Sequence, residues 1–553
     1  MVEYITRINF IQGLRQSPND SADAVIIVTG AITPFDFDEI QQCLDESIRV
    51  LRNGGLLFVQ GYPIYLPELG VYLDQRLTFK YWIAIKSLEQ RNTGGLPSAH
   101  AAVLLFTKGN GNFQINRVRF PHEYCAHCGK TLRDWGGKTH LMDPEGYAAS
   151  DVWTSLPLED NYAQLAGPAL SAIIKMVVGN KIIVGPSEGV KTSPMSIGEP
   201  IYQYYLPYFG PKTNYPKESQ ILEDNLWNIV HHGDAIEILK RYPDNSVDLV
   251  FADPPYNLSK GYSVYNDTQS RDEYLAWCNS WLEEYIRILK PTGALYLLNL
   301  PHWTMYHAAY LNKRLYFKNW IVWDALSEPR GKIMPAHYGL LFYTKHPTNF
   351  IFNQEKLKEI DSRQYCLRAS CIRERKVLGD DKKDPLTDIW SDIHRLKHRR
   401  DRDYHPCQLP DALMERIIRL STNEGDVVLD ALAGTGTTAI IAKRLGRRYV
   451  AIDIDETYVR ITQEKLEQVE DLGYVQRQSI KRPRPRYSKK SLQLELQSIA
   501  AKLGRLPTHE DVQKMSSYSL DAYLETFPTW GKALKAAKME VRRNGNTGAQ
   551  NFF

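Results

Sequence analysis

The feature that most limits what this chain can fold into is a long internal echo. Leu77-Thr-Phe-Lys-Tyr-Trp82-Ile returns as Leu315-Tyr-Phe-Lys-Asn-Trp320-Ile, and Pro97-Ser-Ala-His100 as Met334-Pro-Ala-His337. Leu104-Leu-Phe-Thr-Lys108 returns as Leu341-Phe-Tyr-Thr-Lys345, Tyr124-Cys125 as Tyr365-Cys366, and Ser150-Asp-Val-Trp153 as Thr387-Asp-Ile-Trp390. The matches keep one order at an offset near 237 residues, so the 553-residue chain reads as two copies of one domain. Residues 1–215 form the first copy and 216–472 the second, joined by Pro- and Tyr-rich sequence around 199–216. A basic linker, 473–490, leads to a small helical module at 491–553.

Composition excludes several classes. Hydrophobic residues make up 43% and charged residues 24%, which suits large buried cores and not a disordered chain. No run reaches the roughly 18 to 20 apolar residues that cross a bilayer, and the start MVEYITRINF has no signal-peptide stretch. A cytoplasmic protein without a membrane partner is expected. Seven cysteines in so long a chain do not make a secreted disulfide framework.

The second copy reads as α/β. Asp248 to Ala252 and Ala294 to Leu300 are buried-strand candidates around a helical pattern from Glu273 to Leu289, which Pro291-Thr-Gly293 is expected to end. Asp411 to Leu420 reads as a helix, Val427 to Leu429 as a strand, Ala439 to Leu445 as a helix and Tyr449 to Ile452 as a strand. This order predicts a Rossmann-like parallel sheet with helices on both faces.

Two loops carry the chemistry. Asp430-Ala431-Leu432-Ala-Gly434-Thr-Gly436-Thr437-Thr438 follows a strand and opens a helix, where glycines let the backbone approach a nucleotide-like cofactor. Asp453 ends the next strand, where a carboxylate can accept from both ribose hydroxyls. No Lys follows the second glycine, so the loop is not a P-loop. The other loop, Asp253-Pro254-Pro255-Tyr256, follows the strand Leu249 to Ala252. Its prolines stiffen the backbone, and its carbonyls and carboxylate form a fixed set of acceptors for an exocyclic amine. Tyr256 offers a flat face for an extruded base.

These motifs resemble those of the DNA amino-methyltransferases, in the permuted, β-class-like arrangement where the DPPY catalytic motif precedes the cofactor motif. Ser246 to Asn257 resembles the catalytic strand and loop, and Asp430 to Thr438 resembles the cofactor segment DPFAGSGTT with Leu432 in place of Phe. His405-Pro-Cys-Gln-Leu-Pro410 resembles HPTQKP with Leu409 in place of Lys, and Gly233-Asp234 resembles a turn against the cofactor adenine. The resemblance implies S-adenosylmethionine as cofactor. It implies direct methyl transfer to adenine N6, with Asp253 and the Pro254 carbonyl binding the amine. Cytosine N4 is the alternative. An RNA or protein amino-methyltransferase and a noncatalytic DNA-binding scaffold stand further off. A restriction-modification or host-marking role, in a prokaryotic or viral host cell, is expected.

The first copy lacks this chemistry. When Asp23-Ala-Val-Ile-Ile-Val28-Thr-Gly30-Ala31 is aligned with Asp248 to Tyr256, Val28 replaces Asp253 and Ala31 replaces Tyr256. Ile182 to Gly189 aligns with the cofactor strand without a counterpart of Asp430. A degenerate partner forming an internal pseudo-dimer, in a monomeric protein, is expected. Cys125 and Cys128 have metal-knuckle spacing, and Cys366 and Cys371 occupy the corresponding place in the second copy, so four thiolates are candidates for one structural zinc. Residues 346–404 are a candidate target-recognition region. Arg395, Lys397, Arg399, Arg400 and Arg402 there, and Lys481, Arg482, Arg484 and Arg486 in the linker, are candidate contacts to double-stranded DNA. The tail resembles a helical repeat associated with homing endonucleases, with Phe527 and Trp530 as core residues and Lys532, Lys535 and Lys538 as its charge.

Overall fold

A computed structural model describes residues 2–4, 10–29, 37–92, 94–109, 113–132, 140, 142–154, 156, 165, 167–185, 224–258, 268–325, 332–366, 368–380, 382–395, 408–472, 489–527, 529–537 and 539. The chain divides into two compact units, Met1–Gln476 and Arg477–Phe553. Lys397, Arg399, Arg400, Arg402, His405, Lys481, Arg482, Arg484, Arg486, Lys538 and the Pro- and Tyr-rich join lie outside the described residues.

The first unit holds two sheets. One runs through β1 (Val2–Tyr4), β2 (Ala22–Val28), β3 (Leu51–Gly61), β4 (Thr78–Asn92), β5 (Pro97–Thr107), two short strands β6 (Arg119–Phe120) and β7 (Tyr147–Ala148) that pair separately, β8 (Val152–Trp153) and β9 (Ile182–Gly185). Its helices are α1 (Phe10–Gln16), α2 (Phe37–Val50), α3 (Leu66–Asp74) and α4 (Gly167–Met176). The other sheet is built from β10 (Ile229–His232), β11 (Val247–Ala252), β12 (Leu289–Asn299), β13 (Tyr316–Asp324), β14 (His337–Thr344), β17 (Ile389–Trp390), β18 (Val427–Asp430) and β19 (Arg448–Asp453), with β15 (Glu359–Asp361) and β16 (Lys383–Pro385) as a separate pair. Around it lie α5 (Ala235–Leu239), α6 (Arg271–Ile288), α7 (Pro301–Leu311), α8 (Ala369–Leu378), α9 (Asp411–Ser421), α10 (Thr437–Arg444) and α11 (Glu456–Leu472).

The strand orders are β1-β9-β2-β3-β5-β4-β8 and β10-β19-β18-β11-β12-β14-β13-β17. They match strand for strand, except that among the described residues the first sheet has no counterpart of β19, the strand that ends in Asp453. The repeated Thr-Lys pair has a shared local cause. Lys345 Nζ donates to the carbonyls of Ile286 and Leu289, both at 2.7 Å, and Lys108 Nζ to those of Ile48 and Leu51 at 2.8 and 2.7 Å. Each lysine satisfies carbonyls at the C-terminal end of the helix before the central strand, where the helix dipole favours a cation.

The two sheets share one continuous core. Trp82 and Trp320, repeat partners in the sequence, stack on each other with ring centroids 3.7 Å apart and planes 5° from parallel. Two buried His–Asp pairs cross between the halves reciprocally. His100 meets Asp388 at 3.1 Å, and His337 meets Asp151 at 3.2 Å. The same carboxylates take the N–H groups of Ala99 and Ala336, each at 2.7 Å. Each half thus supplies one histidine and one aspartate to the other.

The helix expected to end before Pro291-Thr-Gly293 does so. The helix stops at Ile288, and these residues lie inside β12 where the register with β11 shifts. Where the register is interrupted, the strand tolerates a proline and a glycine that a regular central strand would not.

The second unit packs α12 (Lys489–Leu503), α13 (His509–Met515), α14 (Leu520–Thr526) and α15 (Trp530–Ala536) around Leu492, Leu496, Val512, Tyr523 and Phe527. Trp530 sits against this core and donates from Nε1 to the Pro507 carbonyl at 3.2 Å. Lys532 and Lys535 are exposed. No helix among the described residues is long and apolar enough to cross a membrane.

Candidate active site

β11, β18, β19 and β10 are parallel neighbours, so the loops after them open at one edge of the sheet. That edge, the carboxyl end of the strands, is where open α/β sheets bind ligands. Phe251 is in register with Asp430, and Asp430 with Ala451. Asp253 to Tyr256, Asp430 to Thr438 and Asp453 therefore meet at a common rim, and Asp234 follows β10 at its flank.

The glycine loop is held from below. The Asp430 carboxylate is buried, accepts from Thr438 Oγ1 at 2.6 Å and takes the Leu432 N–H at 3.0 Å. Burial pushes its pKa up to about 7, against the lowering effect of those two hydrogen bonds. Tyr285 clamps the two motif strands together. Its hydroxyl accepts from the Ala431 N–H at 2.8 Å and donates to the Phe251 carbonyl at 2.9 Å. Asp453 accepts from the Gly434 N–H at 2.7 Å and the Asp455 N–H at 2.8 Å, one on each oxygen, and burial lifts it to about 6. Gly436 has φ +79°, and a Cβ there would run into the Thr462 side chain. Only glycine suits a left-handed position with that neighbour. Thr437 then opens α10. Bare backbone before a helix start, with a carboxylate on the adjoining strand, fits a nucleotide-like cofactor. Asp234 is the N-cap of α5, its Oδ1 accepting from Ile236 and Glu237 at 2.9 and 3.1 Å.

The proline loop is pinned through its carbonyls. Tyr274 donates its hydroxyl to the Pro255 carbonyl at 2.7 Å, and Trp303 Nε1 donates to the Tyr256 carbonyl at 2.9 Å. Asn299 in turn donates to the Tyr274 hydroxyl at 3.0 Å. Tyr256 is only 4% exposed, and its hydroxyl donates to Asp253 Oδ1 at 2.7 Å. Its ring lies beside that of Tyr338, with centroids 5.7 Å apart. The open aromatic face expected from the sequence is thus turned inward here, because the ring finds apolar neighbours and its hydroxyl an acceptor. Tyr285, Tyr274, Trp303 and Asn299 were not singled out by sequence. Tyr274 and Tyr285 fall on the buried stripe of α6 with Cys278, Trp281 and Leu282. An aromatic with a polar tip on a core stripe needs a partner for that tip, and this was the available signal.

The four cysteines come together. Their Sγ atoms all lie within 4.8 Å of one another, with Cys125–Cys371 at 3.7 Å and Cys128–Cys366 at 3.6 Å. Four sulfurs bound to one tetrahedral zinc at about 2.3 Å stand about 3.8 Å apart. The Cys366 N–H points at Cys125 Sγ at 3.3 Å. Burial would raise the Cys125 thiol, but N–H groups of Cys128, Cys366 and His127 outweigh it and bring it down to about 6. The cluster is compatible with a structural metal site, with two ligands from each half of the chain. Of the candidate DNA contacts only Arg395 is described, half-buried beyond β17.

The rim with its two motifs defines an α/β methyltransferase fold that binds S-adenosylmethionine. A family described as DNA methylase, of the N6/N4 type, matches residues 247–464, and the homing endonuclease associated repeat matches 487–540. The chain is 36% identical over 238 residues to the type II methyltransferase M.HpaI of Haemophilus parainfluenzae, covering 42% of this chain and 72% of that one. It is 32% identical over 251 residues to the DNA adenine methyltransferase YhdJ of Escherichia coli strain K12, covering 43% of this chain and 81% of that one. It is 39% identical over 234 residues to the type II methyltransferase M.BamHI of Bacillus amyloliquefaciens, covering 41% of this chain and about half, 54%, of that relative's length. The chain belongs to the N6/N4 DNA methylase family.

Proposed function

We propose that the chain is a site-specific DNA methyltransferase acting on adenine N6 of double-stranded DNA, with the target base flipped out of the helix. The observation that carries this reading is the pairing of β11 and β18, which sets Asp253-Pro-Pro-Tyr256 beside the Asp430 loop at one sheet edge. S-adenosylmethionine, held by Asp430, Ala431, Leu432, Gly434, Gly436, Thr437 and Asp453 with Asp234 at the flank, supplies an electrophilic methyl group. Asp253 and the Pro254 carbonyl accept hydrogen bonds from the two amine N–H groups and orient the nitrogen lone pair. Bound there, the cofactor would give its methyl group to the amine nitrogen and keep the S–C bonding pair on sulfur, while one amine proton is lost to solvent. The Tyr256 hydroxyl on Asp253 Oδ1 holds its ring inward, and its release would free the ring to stack on the base.

The DPPY form of the loop favours adenine over cytosine N4, in keeping with the adenine specificity in the name of the Escherichia coli relative. The catalytic motif precedes the cofactor motif, a permuted arrangement. We read 1–215 as a degenerate copy that makes an internal pseudo-dimer with the catalytic domain 216–472, on the strength of the matched strand orders and reciprocal His–Asp pairs. Residues 346–404 serve target recognition, and the tail adds a second DNA contact. The type II relatives favour a role in restriction-modification. Zinc at Cys125, Cys128, Cys366 and Cys371 ties the halves together.

The test is methylation of unmodified genomic DNA with S-adenosylmethionine, followed by single-molecule mapping of modified bases. N6-methyladenine at one recurring sequence is expected from the wild type and none from Asp253→Ala. Confirmed cofactor binding without any DNA mark would overturn the reading.

A further inference from the structure

The half of the chain without catalytic residues reaches the catalytic loop through one carboxylate. Asp74 is the last residue of α3, and its side chain is only 8% exposed. Its Oδ2 accepts from His302 Nε2 at 2.8 Å and from the Tyr306 hydroxyl at 2.7 Å, while its Oδ1 takes the Phe79 N–H at 3.2 Å. The Phe79 ring stacks on His302 with centroids 4.9 Å apart and planes 14° from parallel. His302 and Tyr306 are one turn apart on α7. Between them on the same helix is Trp303, whose indole N–H holds the Tyr256 carbonyl. The ring of Trp303 packs on Tyr274, 4.6 Å between centroids, and Tyr274 holds the Pro255 carbonyl. Arg271, the first residue of α6, the helix that carries Tyr274, places Nη1 3.8 Å from Asp74 Oδ2 and 3.3 Å from the Tyr306 hydroxyl. A single carboxylate therefore engages both helices that pin the proline loop.

Resting on the methyltransferase reading above, we propose that Asp74 of the degenerate half is a positioning residue for the Asp253–Tyr256 loop, acting through His302 and Tyr306. It does not touch the reacting atoms. It fixes the start of α7, so that the Trp303 indole and the Tyr256 carbonyl keep their register. Hydrogen bonds to a charged acceptor are the stronger kind, and this carboxylate is shielded from water. A loop that presents acceptors to an amine is sensitive to its placement, because a shift of about 1 Å can cost about a hundredfold in rate. The degenerate copy thus has a task that the loss of its own motifs does not remove.

The test uses the full chain and three variants, Asp74→Ala, Asp74→Asn and Tyr306→Phe. In steady-state methylation of unmodified genomic DNA, Asp74→Ala is expected to lower kcat at least about tenfold with the KM for S-adenosylmethionine within about twofold. Asp74→Asn keeps an acceptor and is expected to recover most of the rate. Tyr306→Phe removes the hydroxyl that donates to Asp74 and accepts from Arg271 without changing the ring's shape, and should fall between the two while staying fully folded at the assay temperature. It decides the matter if the alanine variant does not fold. Hydrogen exchange across 253–258 reads the loop directly, and faster exchange in Asp74→Ala and Tyr306→Phe is expected while the glycine loop stays protected. Unchanged kcat with unchanged exchange, or an apparent kcat that falls only in proportion to the folded fraction and returns to the wild-type value when corrected for it, would overturn the proposal. A wild-type enzyme that leaves no mark would defeat the methyltransferase reading, and the exchange measurement would still decide whether Asp74 holds the loop.

Discussion

Two acids at the sheet edge, Asp253 and Asp430, have different surroundings, and these set different expectations. Asp253 is an acceptor in a pinned loop, so Asp253→Ala should cost about a hundredfold to a thousandfold in kcat with cofactor affinity nearly unchanged, checked by single-turnover methylation and by calorimetry. Asp430 is buried and its pKa is lifted to about 7. An unfolded aspartate titrates near about 3.9, so the folded state binds this proton more tightly. Stability is therefore unaffected by the acid below about pH 4, declines as pH rises, and carries the full cost of the buried charge above about pH 7. Asp430→Asn should melt close to the wild type at about pH 4.5 and several degrees higher at about pH 8. Thermal melts across that range check it, and a gap that does not widen with pH would show that another group titrates.

The elements were legible to different degrees. The strands that carry the motifs were readable because each is a short apolar run that reaches its loop at an aspartate, Asp253 just after one and Asp430 at the end of the other. The helix from Arg271 was readable from its leucines, but its start is set by Ser270 and Glu273, which form a capping box. What periodicity could not show was the use of Tyr274 and Tyr285 as hydrogen-bonding props, because a tyrosine on a buried stripe looks the same whether its hydroxyl is idle or employed. Nor could spacing alone establish that two cysteine pairs about 240 residues apart in the chain converge; it takes the fold to bring Cys125 to 3.7 Å from Cys371. The turn into α10 gives a prediction at this scale. Gly436→Ala puts a Cβ at φ +79° against Thr462, so we expect a loss of about 1–2 kcal/mol or more, and weakened cofactor binding as the loop shifts. Denaturant melts and cofactor titration measure both.

For the molecule as a whole, the interface between halves belongs to the core. Trp82→Ala and Trp320→Ala should each cost about 3–5 kcal/mol, and the double variant should cost clearly less than their sum because each removes the same stack. Purified protein is expected to contain one zinc, and Cys128→Ser or exhaustive chelation should lower its melting temperature; metal-free protein with an unaltered melt would rule out a structural ion. The stacked tryptophans also bear on how the enzyme behaves when scarce. A twofold pair made of separate subunits comes apart on dilution, and its activity then falls with the square of concentration. Here the partners of the stack share one chain, and their effective concentration is set by covalent connection. Specific activity should therefore stay constant down to the lowest protein level that can be assayed.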